Sequence, residues 1–373
     1  ACEKYKSNMK QNSSCLATSI TILKVTGTWF PDGLIRPWLY TSFAGVILLL
    51  FFVATVVAEI GYLFTVIGDT ERIVEAAVLL LSHLVQGVKI MNICVRQGRI
   101  KRLIQFIDGP EFDKTDPKKV EILDKTVYLT TIIGQTIIAC ATVTAIFWCL
   151  VPGLKTELSL PLKTAYPFDI SGYPILSVVI CGINDTAVNY IVAGLMVLAA
   201  AHLDVLSEEL NEIDAEGKKD NYQETIRRIK YHQSIIQYVN ELAGIFGLPI
   251  LCQFMATAMI VCMTLYKITV TSQPIELMTM IFYMICIFLE LFMYCFPGDM
   301  IVNKSLSVAI AAAPATWTGD LRSRRALLLC CARAQRVLCV NAGSMFRVSL
   351  PTAAVVLRAA YSYYAVLQQK MDN

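Results

Sequence analysis

Charge is scarce in this chain. Only 16% of its 373 residues are Asp, Glu, Lys or Arg, against about 25% in an ordinary soluble protein. A chain of this size with so few charges must place much of its surface where there is no water. Histidine is rarer still, and His83, His202 and His232 fall on separate segments with no metal-ligand spacing. The HExxH, GxSxG, Walker A, dinucleotide-glycine and paired CxxC signatures are missing. These absences lead us to expect no enzyme, no cofactor and no metal. No Lys/Arg run occurs, and a net charge of +3 offers nothing to nucleic acid. Cysteine is plentiful, at 13 residues, but Cys140, Cys149, Cys252, Cys262, Cys286 and Cys295 lie in apolar runs and Cys330, Cys331 and Cys339 in a basic stretch. Free thiols, most of them buried, are expected rather than a disulfide framework. The polar start, with Lys4, Lys6 and Lys10, shows no cleavable signal, which leaves membrane entry to the first apolar segment.

Apolar residues make up 56% of the chain, and the mean hydropathy is +0.57. A spanning helix needs about 20 mostly apolar residues. Seven segments qualify: 38–62, 73–95, 127–150, 173–201, 245–267, 277–296 and 349–369, the last being the least apolar. Lys and Arg cluster before the first segment and after the second, fourth and sixth, for example Arg96, Arg99, Lys101 and Arg102. The opposite side has little more than Arg72, Lys155, Lys163 and Lys267. Positive loops stay in the cytoplasm. The expected fold is therefore an all-α polytopic membrane protein of seven transmembrane helices, N-terminus cytoplasmic and C-terminus extracellular. That orientation excludes a G-protein-coupled receptor.

Two cytoplasmic stretches carry apolar stripes. Leu203, Leu206, Leu210 and Ile213 extend the fourth segment, and Ile226, Ile229, Ile236 and Val239 lead into the fifth after a polar break. Residues 321–337 place Arg322, Arg325, Arg333 and Arg336 opposite Leu328, Cys331 and Leu338. Such stripes exist to pack on other helices, so a cytoplasmic helical anchor bundle is expected.

The last segment is semi-polar. Ser349 and Pro351 suit a helix start, and one stripe reads Thr352, Val356, Ala359, Tyr363, Val366, Lys370. Small and polar positions with isolated apolar rungs fit a water-filled path with a dewetting constriction. Charges inside the membrane are costly and by default functional. Glu290 and Arg358 lie at matching depths, which predicts an ion pair between them. Lys89 is expected to snorkel to the cytoplasmic interface, and Asp185 has no partner that the sequence identifies.

The final third carries a series of motifs. His232 precedes the fifth segment, which contains Gln253-Phe254; Tyr294, Cys295, Gly298 and Ser305 end the sixth; Trp317, the basic stretch, Asn341-Ala342-Gly343-Ser344-Met345-Phe346 and Ser362-Tyr363…Gln369 follow. In order and spacing these resemble the insect odorant receptor family, of the odour-specific kind. Weaker similarities lie earlier, at Gly27, Trp29 and Pro31 and at Lys89.

The resemblance implies one subunit of a four-subunit odour-gated cation channel, paired with a common co-receptor in the plasma membrane of olfactory neuron dendrites. It divides the chain into a cytoplasmic segment (1–37), ligand-binding helices (38–201), helical extensions (202–244), helices five and six (245–296), an anchor region (297–344) and a pore helix with an extracellular end (345–373). The family's pocket lies in the outer half of the membrane. At that depth stand Leu79, Ser82, His83, Thr144, Trp148, Ile180, Asn184, Tyr283 and Ile287, which imply a small, uncharged, largely apolar volatile. For the pore and gate the resemblance implies Tyr363, Val366, Gln369 and Lys370. Four lysines facing one another would repel cations, which favours mixing with a co-receptor over a homotetramer. A gustatory-type receptor channel of the same superfamily remains open. So does a secondary transporter, although no internal repeat is found.

Overall fold

A computed structural model describes residues 12–33, 35–112, 116–150, 173–215, 222–271, 273–315 and 321–371. After a 3-10 turn, Asn12–Leu16, the helices are α1 (Ala17–Val25), α2 (Pro37–Thr65), α3 (Thr70–Ile107), α4 (Pro117–Leu150), α5 (Tyr173–Ala215), α6 (Tyr222–Val270), α7 (Pro274–Ala315), α8 (Leu321–Ala334) and α9 (Leu350–Met371). A two-stranded hairpin, β1 (Asn341–Ala342) and β2 (Phe346–Arg347), precedes α9.

Six helices, α2 to α7, are long and apolar enough to cross a membrane. The seventh, α9, is more polar; its 22 residues rise about 33 Å, the thickness of the bilayer core. The fold is an all-α, seven-helix membrane protein, as expected. Helices α3, α5, α6 and α7 have 38, 43, 49 and 42 residues, about twice what a bilayer needs. Each runs on beyond the apolar segment seen in the sequence.

Local chemistry explains the boundaries. Pro37 and Pro117 open α2 and α4, where a missing N–H costs nothing. Asp69 caps α3 by accepting from the Arg72 amide at 3.2 Å. A wide turn at Leu48–Val53 interrupts α2, and the Phe51 carbonyl accepts from the Thr55 hydroxyl at 3.0 Å and the Cys181 thiol at 3.2 Å.

Helix α5 lies at the centre: 89% of its apolar window is buried, against 17% for α4. Leu49, Val57, Ile133, Val143, Ile281 and Phe288 are exposed on α2, α4 and α7, as lipid-facing residues should be. The continuous core lies at the end carrying the positive loops, where Ile93, Ile100 and Ile107 of α3 meet Leu203, Leu206 and Leu210 of α5 and Ile235, Tyr238 and Leu242 of α6. The expected helical bundle is present, although the side chain of Ile213 and the break at 216–221 lie outside the described residues. His232 packs there with Nδ1 3.5 Å from the Cys330 thiol; burial, with Arg333 nearby, pushes its imidazole down to about 4. In α8 the buried face is Leu327, Cys330 and Ala334, while Leu328 is exposed. The apolar face is thus rotated by one residue from the expected one. All eleven described cysteines are free thiols.

The segment between α8 and α9 explains several sequence motifs. Ser305 accepts the Leu338 amide at 2.9 Å in a buried position. Gly343, at φ +59, turns the hairpin, and its amide donates to the Gly247 carbonyl at 2.8 Å. A Cβ on Gly247 would come within 2.7 Å of the Asn341 carbonyl oxygen. The Val348 amide donates to the Val340 carbonyl at 2.8 Å, holding the chain where α9 begins. Pro351 stands in the first turn of α9, as expected. The Ser349 hydroxyl, however, meets the Thr352 hydroxyl at 3.2 Å rather than capping an amide. Ser305→Ala would leave the buried Leu338 amide unsatisfied, which costs about 1–3 kcal/mol; a lower melting temperature of the detergent-solubilised protein is the expected readout.

Candidate functional site

A cavity of about 250 Å³ opens between α3, α4, α5, α6 and α7. Its walls include Leu79, Ile137, Ile260 and Ile287. Ser82 and Tyr283 cross it with their hydroxyls 2.6 Å apart. His83 faces it from α3, with Nδ1 2.9 Å from a carboxylate oxygen of the buried Glu59. A concave, mostly apolar site with a few placed polar groups is the usual form of a small-molecule pocket.

One end of the cavity is strongly polar. Lys89 Nζ donates to Asp185 Oδ1 at 3.0 Å, Asn189 Oδ1 at 2.9 Å and Glu290 Oε1 at 2.5 Å. The Asn189 amide donates to Asp185 Oδ2 at 2.9 Å and to Glu290 Oε1 at 2.8 Å. The Tyr294 hydroxyl donates to Asn189 Oδ1 at 2.5 Å. Lys89 therefore spends all three of its protons, as a buried ammonium must. Three helices, α3, α5 and α7, are tied at one depth.

This cluster corrects three sequence expectations. Lys89 does not snorkel to an interface: α3 continues to Ile107, which places Lys89 midway along it, with its side chain 2% exposed. Asp185 does have a partner, and it is Lys89. Glu290 pairs with Lys89, not Arg358; Arg358 lies exposed on α9 and makes no ion pair among the described residues. Effects of Arg358→Ala and Glu290→Gln on stability should therefore add within about 0.3–0.5 kcal/mol, the usual result for sites that do not touch. A larger coupling in the double variant would restore the expected pair.

Of the expected pocket residues, Leu79, Ser82, His83, Tyr283 and Ile287 line the cavity. Ile180 and Asn184 do not. Asn184 turns away to donate to Thr26 Oγ1 at 2.6 Å and Thr28 Oγ1 at 3.1 Å. The face of α5 that meets the cavity carries Val178, Cys181, Gly182, Asp185 and Asn189 instead. The side chains of Thr144, Trp148 and Lys370 lie outside the described residues, as does Trp317. On α9, Tyr363, Val366 and Gln369 are exposed. Val356 of the expected pore stripe is instead partly buried and, with the buried Ala360, packs on Ala256, Ile260 and neighbouring residues.

The cavity connects to α9 by a short route. Tyr294, which closes the polar cluster, is followed by Cys295 and by Gly298, where α7 passes so close to Val348 that any Cβ would overlap its carbonyl oxygen.

A family profile for the 7tm odorant receptors matches residues 69–361. Odorant receptor 85c of Drosophila melanogaster is 27% identical over 170 residues, 45% of this chain and 43% of that protein. Odorant receptor Or2 of Anopheles gambiae is 26% identical over 142 residues, 38% of each chain. Each alignment thus spans less than half the length of the curated relative. Among solved structures, the insect olfactory receptor OR5 from Machilis hrabei, in complex with eugenol, superposes with a TM-score of 0.84 at 15% identity, covering 95% of this chain and 97% of that one.

Proposed function

Because this chain belongs to the 7tm odorant receptor family, we propose that it is the odour-specific subunit of a ligand-gated, non-selective cation channel. It binds a small volatile compound in the cavity between α3 and α7 and opens a pore lined by α9, in a tetramer shared with a co-receptor. It is a receptor of the cell membrane, not an enzyme. One observation carries the reading: a largely apolar cavity of about 250 Å³ lies in the membrane part of the bundle, and its lining residue Met293 precedes Gly298, the contact that seats α9, by about one and a half helical turns. The eugenol complex of the Machilis hrabei receptor supports a small organic ligand for this fold.

The exposed outer half of α9, with Tyr363 57% and Val366 65% exposed, supports a surface completed by other subunits. Leu328 and Leu329, exposed on the positively charged side of the molecule, support an anchor between subunits there. Ligand binding in the cavity acts on α7 through Glu290 and Tyr294, and α7 acts on α9 through Gly298.

The test is current recording in a cell line expressing the chain with and without a co-receptor subunit, against an odour panel. Cation current that requires both subunits is the expected result. Leu79→Trp, which fills the cavity, should abolish that current without loss of surface expression. Unchanged responses in Leu79→Trp would place the ligand elsewhere.

A further inference from the structure

Carboxyl groups outnumber ammonium groups at the polar end of the cavity. The single ammonium of Lys89 is shared by two carboxyl groups, Asp185 and Glu290, so the second carboxyl keeps its proton unless another cation joins the cluster. His83 and Glu59 face each other at 2.9 Å, so that pair sums to zero or to minus one, according to whether the imidazole is protonated. Among the described residues that line the cavity, no other Asp, Glu, Lys or Arg occurs. The arrangement is also polarised in space. The Lys89 side chain is 2% exposed, whereas those of Asp185 and Glu290 are 24% and 15% exposed. All three side chains line the cavity, and the carboxyl groups keep more exposed surface there than the ammonium does.

The hydrogen bonds show where a ligand could attach. Both oxygens of Asp185 accept from the protein, one from Lys89 and one from Asn189. Glu290 receives both of its hydrogen bonds on Oε1. Its Oε2 accepts nothing among the described residues. An unpaired carboxylate in a low-dielectric site is costly; it holds a proton until a matching cation takes the proton's place.

From this we infer that the cavity takes a volatile amine, held as its ammonium against Glu290 Oε2, with the carbon skeleton along Leu79, Ile137, Ile260 and Ile287. The inference rests on the reading of the cavity as an odorant site and gives that site a ligand class. It also revises the uncharged ligand that the family resemblance implied. The ammonium supplies the missing positive charge, and its protons make charge-assisted hydrogen bonds that an alcohol of the same shape cannot match. The walls formed by Leu79, Ile137, Ile260 and Ile287 suit a carbon skeleton rather than a hydrated metal cation, which needs six or more oxygen ligands.

The experiment is a thermal-shift titration of the purified full chain with 2-phenylethylamine, 2-phenylethanol and propylbenzene, three probes of nearly equal size. The amine should stabilise the protein at a concentration at least about ten-fold lower than the alcohol, as a hydrogen bond to a charged group implies. Glu290→Gln keeps the acceptor for Lys89 and Asn189 but leaves one carboxylate for one ammonium, and the amine preference should fall to about one. Asp185→Asn removes the same excess carboxyl from another helix and should also abolish the preference, which guards against a folding defect in a single variant. Equal stabilisation by all three probes, no stabilisation by the amine, or a preference that survives both substitutions would overturn the assignment. Current recordings separate this inference from the channel reading. Amine binding without odour-evoked current would leave the ligand class standing and remove the channel.

Discussion

Replacing Lys89 by Met is expected to destabilise the protein by about 3–5 kcal/mol, the usual cost of removing one partner of a buried ion pair. Met fits the space left by the stem but donates nothing. Asp185, Asn189 and Glu290 would lose the ammonium that each of them accepts from, leaving two carboxylates facing each other in the membrane. Asn189 would retain only the Tyr294 hydroxyl on its oxygen. The triple variant Lys89→Met, Asp185→Asn, Glu290→Gln should recover most of the loss, because no charge then remains to be matched. Thermal unfolding in detergent measures both variants. A Lys89→Met protein that melts like the wild type would show that Lys89 does not hold the cluster together.

Gly298→Ala should abolish odour-evoked current while the protein still reaches the membrane. The added methyl would overlap the Val348 carbonyl oxygen and press on its side chain. Overpacking of this kind costs about 1–3 kcal/mol, which a protein of this size can bear. The strain has one direction of relief, because the contact is backbone against backbone. It pushes the start of α9 away from α7 and breaks the link between cavity and pore. Surface biotinylation with current recording separates the two outcomes. Wild-type current from Gly298→Ala would remove this contact from the gating route.

The seven crossings were legible because lipid imposes a composition that few other environments do. Their lengths were not. The second segment was read as ending near residue 95, yet α3 runs to Ile107 because Ile100, Leu103 and Ile107 form an amphipathic stripe that buries against α5 and α6. The sixth was ended before Pro297-Gly298, a pair that ordinarily breaks a helix. It continues to Ala315; Gly298 serves there as a passing place for Val348 rather than as a turn.

These lengths decided which site residues could be read. With α3 ended too early, Lys89 fell at an interface and its partners were missed, although Asp185 and Glu290 had both been noted as charges within the membrane. Their depth, not their spacing, was the signal. On α5 the misreading was rotational. Asn184 and Asp185 are adjacent, so they point about 100° apart, and only packing decides which one meets the cavity. The N-terminal Thr26 and Thr28 claim Asn184, a tertiary contact that no periodicity reveals. On α3 and α7, Leu79, Ser82, His83, Tyr283 and Ile287, which the resemblance implied, line the cavity, while their neighbours Leu84, Val88, Ile281 and Phe288 are exposed.

The central claim is that binding in the cavity opens a path bordered by α9. Val366→Cys, on the exposed side of that helix, tests it most directly in cells expressing both subunits. A charged, membrane-impermeant thiol reagent applied from outside should reduce odour-evoked current irreversibly, and faster when the odour is present. Current that stays intact after the introduced thiol has demonstrably reacted, or a thiol that reacts only from the cytoplasmic side, would contradict the account.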